Sequence, residues 1–250
     1  MGKKAPVYSE GSVLVPGTVI ESFLADKLKV HVCPSSRQTL ETAADAVGAE
    51  MRRLISERGR AIGVFSSASS LSGFFDGLVK TDGIAWTQVI GFHLNEKLKE
   101  DEDSPRSNRR FLIERLVKLI PMAEFHGIRG EAANPEAVCA NYIASLKKRP
   151  PDFAALELGE NGRLASITPR GCDFNDPAPV RVVDLDDQLE QAISFTIPGI
   201  MACPKLFLIA PDDTNRSDAR ATIEGEISGA CPASILRTHD NAHLFTIDFR

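Results

Sequence analysis

Short apolar runs alternate along this chain with longer stretches whose apolar residues recur every three or four positions. Leu28–Val32 has the length and character of a buried strand. Pro34-Ser35-Ser36 then opens a segment whose Leu40, Ala43, Ala44, Val47, Met51, Leu54 and Ile55 fall on one helical face, and Gly59 closes it. Ile62–Phe65 reads as the next strand. Ser70 is placed to cap a helix in which Leu71, Phe74, Phe75 and Leu78 follow the i, i+3, i+4, i+7 pattern. Val89–Leu94 is the third strand, followed by the solvated charge run Lys99–Arg106 and a helix over Ser107–Lys118.

Asn134-Pro135 is a helix start, with Asn as cap and Pro at the first helical position. That helix runs to Lys148 and buries Val138, Tyr142, Ile143 and Leu146. Phe153–Leu158, Val180–Leu185 and Leu206–Ala210 are further strands, and Asp212-Asp213-Thr214 leads into a helix ending at Ile223. Ser234–Leu236 and Leu244–Ile247 also read as strands. Strands alternate with helices almost throughout, which predicts an α/β fold with a mainly parallel sheet covered by helices on both faces. Residues 1–22 are expected to be a flexible tail and residues 23–250 one domain. Ligand sites in such sheets lie on the loops after strands. Here those are Ser66–Ser70, Asn95–Arg106, Gly159–Asp173 and Pro211–Arg216.

Composition narrows the partners. The chain has 250 residues, 43% of them hydrophobic, and a net charge of −5 with no basic block, which argues against nucleic acid. No apolar run has the length of a membrane span. Five cysteines at wide spacing, none in C-x-x-C, read as thiols in a reducing cytoplasm and not as disulfides or a zinc site. His239 and His243 stand four apart, but strand-like flanks argue against a helical metal pair, so neither metal nor cofactor is expected. Trp86, the single tryptophan, is expected in the core or a subunit contact.

The most informative turn is Gly159-Glu160-Asn161-Gly162-Arg163, directly after a strand. It places an amide and a guanidinium where acid–base chemistry would use a carboxylate and an imidazole. This segment belongs to a wider pattern. Phe65-Ser66-Ser67-Ala68-Ser69-Ser70, Gly91-Phe92-His93-Leu94-Asn95-Glu96, Ser107-Asn108-Arg109-Arg110-Phe111, Phe125-His126-Gly127-Ile128-Arg129-Gly130-Glu131, Asp173-Phe174-Asn175-Asp176-Pro177 and Cys231-Pro232-Ala233-Ser234-Ile235-Leu236-Arg237 follow in order. From about Phe23 to Ile247 the chain resembles the glucosamine-6-phosphate deaminase/isomerase family and, more distantly, the 6-phosphogluconolactonases. The resemblance implies a Rossmann-like α/β fold shared with ribose-5-phosphate isomerase and the CoA transferases.

It also implies a reaction, a site and a small-molecule sugar phosphate as partner, in a protein that can be a homo-oligomer. Members of the family open the sugar ring, move a proton from C2 to C1 with a carboxylate base, and hydrolyse the resulting imine. At the position of that base this chain has Asn95, followed by Glu96 and Lys97. An amide has no usable basicity near neutral pH. The ring-opening histidine falls at Arg163, after Asn161-Gly162, and its acidic support at Thr168. Ser66, Ser67, Ser69 and Ser70 remain as an anion-binding loop, while the phosphate-binding lysine falls at Asn215, beside Arg216. The segment between Leu185 and Ile193 is short where relatives carry a lid. Three readings stay open. In the first, an active enzyme uses Glu96 as surviving carboxylate and Arg163 and Arg216 as anion contacts. In the second, a catalytically degenerate protein binds sugar phosphate or serves as an interaction protein, and Arg163 only replaces the histidine's volume or pairs with a nearby acid such as Asp173. The third is a lactonase-like hydrolase.

Overall fold

The computed structural model of the protein describes residues 19–185 and 190–249. In chain order the regular elements are β1 (Glu21–Ala25), β2 (Leu28–Cys33), α1 (Ser36–Arg58), β3 (Ala61–Phe65), α2 (Ser72–Leu78), β4 (Val89–His93), β5 (Asn95–Lys97) and α3 (Asn108–Leu112). After a π-helical turn over Ile113–Val117 come β6 (Glu124–His126), α4 (Pro135–Lys148), β7 (Phe153–Glu157), β8 (Val180–Asp184), β9 (Gln191–Phe195), α5 (Ile197–Met201), β10 (Leu206–Ala210), α6 (Arg216–Glu224) and β11 (Ala242–Ile247).

Eight strands form one sheet in the order β1-β2-β11-β10-β7-β3-β4-β6. Only β1–β2 is antiparallel; the remaining pairs are parallel. From β3 the chain builds outward through β4 and β6, then returns to place β7 on the other side of β3. The order of the sheet therefore reverses between β3 and β7, and loops leaving these neighbours diverge to open a crevice at their carboxyl ends.

The strands are apolar on both faces because both are covered. Ile62 and Val64 of β3 join one core with Leu156, Leu208 and Leu244, while Ala61 and Phe65 join the other with Phe74, Phe153, Phe207 and Met51 of α1. Gly63 is required in between, since a Cβ there would lie 2.4 Å from Phe153 Cζ. Ser35 caps α1 by accepting from Gln38 N, and Gly59 ends it at φ 72°. Asn134 caps α4 in the same way through Ala137 N. Trp86 is buried in the second core.

Several elements depart from the sequence expectation. β1 begins at Glu21, two residues inside the stretch expected to be a tail, and residues 1–18 of that stretch lie outside the described residues. β5, β9 and β8 form a second, antiparallel sheet that the α/β alternation does not announce. Ser234–Leu236 is not a strand but part of a 3-10 helix over Pro232–Thr238, because Pro232 enters at its first position and Ser234 Oγ bonds Ser228 O. All five cysteines are free, four of them buried. No helix among the described residues is long and apolar enough to cross a membrane.

Candidate functional site

The crevice between β3 and β7 is built from the loop 66–70 and the turn 159–163. Ser66 is buried and its N–H donates to Ala155 O at 2.9 Å, so it continues the β3–β7 ladder. The Ser67 Oγ is buried and has no protein partner. Ser69 is exposed, and its carbonyl accepts from Ser72 Oγ. Ser70 was expected to cap a helix; instead its hydroxyl donates to Glu157 Oε1, and α2 starts at Ser72 without a side-chain cap.

Glu157 is the functional candidate that sequence reasoning missed. It ends β7 directly at the reversal of the sheet, with Ile209 of β10 as its register partner. Burial pushes its carboxyl above the usual carboxylate range, opposed by the Ser70 hydrogen bond and the Arg163 charge and reinforced by Asp212 after β10. The signal was present in the sequence: a lone acid at the end of the apolar run Phe153–Leu158 is costly to bury without partners.

Arg163 folds back over the turn, its Nε so near Gly159 that a Cβ there would lie 2.8 Å away. Its charge acts on the Glu157 carboxyl, and among the described residues it forms no ion pair with Asp173. Asn161 and Gly162 both take left-handed backbone, φ 57° and 72°. This turns their N–H groups onto the Asp218 carboxylate of α6. Asn215 Nδ2 donates one of its hydrogens to Leu158 O at 2.9 Å, tying the start of α6 to the end of β7. Arg216 ion-pairs with Asp213 at 2.8 Å and lines a groove of about 570 Å³ on α6 with Arg220, Glu224 and Phe249. Arg163 and Arg216 thus have different neighbours.

A second cluster gathers beside β5. Asn95 Nδ2 donates to Ser166 Oγ at 2.9 Å, and its carbonyl accepts from Asn108 Nδ2 at 3.1 Å. Ser166 and buried Thr168 line a polar cavity of about 380 Å³ with Arg170, Arg181 and Asp184. Glu96, proposed as a surviving base, is fully buried and turned the other way. Its carboxylate accepts from Ser107 Oγ, Asn108 N, Arg109 N and Lys97 N at 2.7–3.0 Å. It caps α3, and its side chain does not reach the cavity. The alternation of a strand explains why: Asn95 and Glu96 are adjacent in β5 and point to opposite faces. Of the short segment between Leu185 and Ile193, residues 186–189 lie outside the described residues. His126 stacks on Phe92 with centroids 4.4 Å apart, a packing role.

A Rossmann-like, mainly parallel α/β sheet whose strand order reverses between β3 and β7 is the class to which this molecule conforms. The sequence profile of glucosamine-6-phosphate isomerases/6-phosphogluconolactonase matches residues 34–245, so the chain belongs to that family. It is similar to the glucosamine-6-phosphate deaminase of Streptococcus suis strain 05ZYH33, 27% identical over 230 residues, covering 87% of this chain and 95% of the relative. The enzyme of the same name from Cellvibrio japonicus is 30% identical over 184 residues, 64% of this chain and 67% of that one. Among solved structures, a monomeric glucosamine-6-phosphate deaminase superposes with a TM-score of 0.78 at 20% identity, over 88% of this chain and 97% of its own. A putative 6-phosphogluconolactonase from Neisseria gonorrhoeae gives 0.74 at 23%, over 88% and 99%. These two likenesses carry the fold.

Proposed function

We propose that this chain is a non-deaminating member of its family, one that keeps a sugar-binding crevice and has lost the proton-transfer groups. The observation that carries this reading is Asn95. The resemblance puts the family's base at this position, and here a neutral amide points its Nδ2 at Ser166. The adjacent carboxylate cannot take over, since Glu96 is spent on four donors under α3. Arg163 stands at the ring-opening position with a permanent charge and shuttles no proton. General acid–base groups supply about 10²–10⁴-fold each, so losing both leaves turnover near the uncatalysed level. The buried free thiols fit a reducing compartment such as the cytoplasm.

The test joins a binding and a turnover measurement. Purified protein is titrated by thermal shift with glucosamine, glucosamine 6-phosphate, fructose 6-phosphate and 6-phosphogluconate, and ammonia release from glucosamine 6-phosphate is followed in parallel. A shift of the melting temperature with one sugar and no ammonia above background is the expected result. Ammonia release within about tenfold of a family deaminase overturns the reading. Hydrolysis of 6-phosphogluconolactone in the same preparation would instead assign the lactonase reaction.

A further inference from the structure

The serine loop at the reversal point already holds an anion, and it is the protein's own. Ser70 Oγ donates to Glu157 Oε1, and the charges of Arg163 and of Asp212, in the loop after β10, act on the same carboxyl with opposite sign. The backbone N–H pair of the neighbouring Asn161-Gly162 turn is likewise satisfied from within, by Asp218. A phosphoryl group entering here would have to break the Ser70–Glu157 bond and would meet the negative charges of Glu157 and Asp212.

We propose that Glu157 is a specificity-determining residue that occupies the serine loop in place of a phosphoryl group, so that the crevice selects unphosphorylated sugars, amino sugars included, over their phosphates. The inference rests on the reading that these loops form the ligand site. In the serine loop, the buried Ser67 Oγ has no hydrogen-bond partner among the described residues. The fold-level logic is negative selection, in which a fixed charge of the wrong sign rejects a competitor more strongly than any contact favours the right ligand.

Isothermal titration with sodium sulfate at pH 7.5 and constant ionic strength tests it, because sulfate stays a dianion throughout. Wild type, Glu157→Gln, Glu157→Ala and Ser70→Ala/Glu157→Ala are compared, each checked by circular dichroism and melting. The two single variants should bind sulfate at least about tenfold more tightly than wild type, the scale of removing one short-range charge from a partly buried site. The double variant should lose that gain. Equal affinity in wild type and the single variants, or no sulfate binding by any folded variant, overturns the proposal. A second measurement needs no variant: wild type should bind glucosamine at least as tightly as glucosamine 6-phosphate, and a tenfold preference for the phosphate would overturn the assignment. Ammonia release by wild type would refute the loss of proton transfer and leave this comparison standing, so the two readings fail separately.

Discussion

Asn95 and Ser166 join β5 to the loop after β7 through a single 2.9 Å hydrogen bond, with the amide as donor. Replacing Asn95 by Asp reverses the direction, since Ser166 can donate to a carboxylate. The change is therefore tolerated structurally. Asn95→Asp combined with Arg163→His restores the two groups that the family resemblance assigns to proton transfer, but leaves Glu157 in the serine loop. Ammonia release from glucosamine 6-phosphate by this double variant should remain below about 1% of a family deaminase, given the scale of each missing contribution. Near-normal turnover would show that two side chains were the whole deficit.

Glu96 is a structural carboxylate. Truncating it strands one side-chain and three backbone donors at the start of α3 and below β5. Glu96→Ala should lower stability by about 2–4 kcal/mol, the range for leaving buried donors of a charge-assisted cap unsatisfied. Urea unfolding measures this directly. Sugar binding by the folded fraction should be unchanged, and a selective loss of binding at unchanged stability would return Glu96 to the site.

Gly162 holds the turn after β7 at a left-handed φ with Cys231 packed against it. A Cβ would lie 2.4 Å from Cys231 Sγ. Gly162→Ala should cost about 1 kcal/mol for the backbone and a further 1–3 kcal/mol for the overlap. Adding Cys231→Ala removes the sulfur, so the double variant should be less destabilised than the sum of the two single changes. Additivity in a double-mutant cycle would mean the turn moves away freely.

Two buried histidines, His31 and His93, and the half-buried His243 make the fold acid-sensitive. His31 of β2 and His243 of β11 stack with centroids 5.3 Å apart and share a hydrogen bond of 3.0 Å; burial is the main cause that lowers their pKa values to about 4 and about 3. His93, wholly buried at the end of β4, is lowered to about 3 by burial and the nearby Arg109. The unfolded chain takes up protons below the ordinary histidine value of about 6.5 that the folded chain refuses. Stability is thus complete above that value and falls as pH drops from 6.5 toward 4, by up to about 1.4 kcal/mol per pH unit for each histidine. Buried carboxylates with raised values, Glu96 and Glu157 among them, act in the opposite sense over their own range. Chemical denaturation at pH 7, 6 and 5 should show the decline, and His31→Phe/His243→Phe should flatten it. A wild-type curve that is level or rising toward pH 5 would contradict the assignment.

The sequence by itself determined the layered architecture. Runs such as Ile62–Phe65 and Leu206–Ala210 are apolar at every position, and that leaves only a strand with both faces covered. Ser35 and Gly59 fix the ends of α1, and Asn134-Pro135 the start of α4, because their chemistry acts over three or four residues. The motifs also single out the loops after β3 and β7 that make up the candidate site. What local pattern does not encode is direction and partnership across the chain. Neighbouring Asn95 and Glu96 carry equal weight in a sequence, yet the pairing of β5 with β9 sends one to Ser166 and the other under α3. Arg216 is adjacent to Asn215, but α6 turns it outward to Asp213. Glu157 becomes the centre of the crevice only because β7 inserts beside β3, bringing Ser70 from 87 residues away onto its carboxylate. Contacts at that separation are set by the order of strands in the sheet, and that order is a property of the assembled fold.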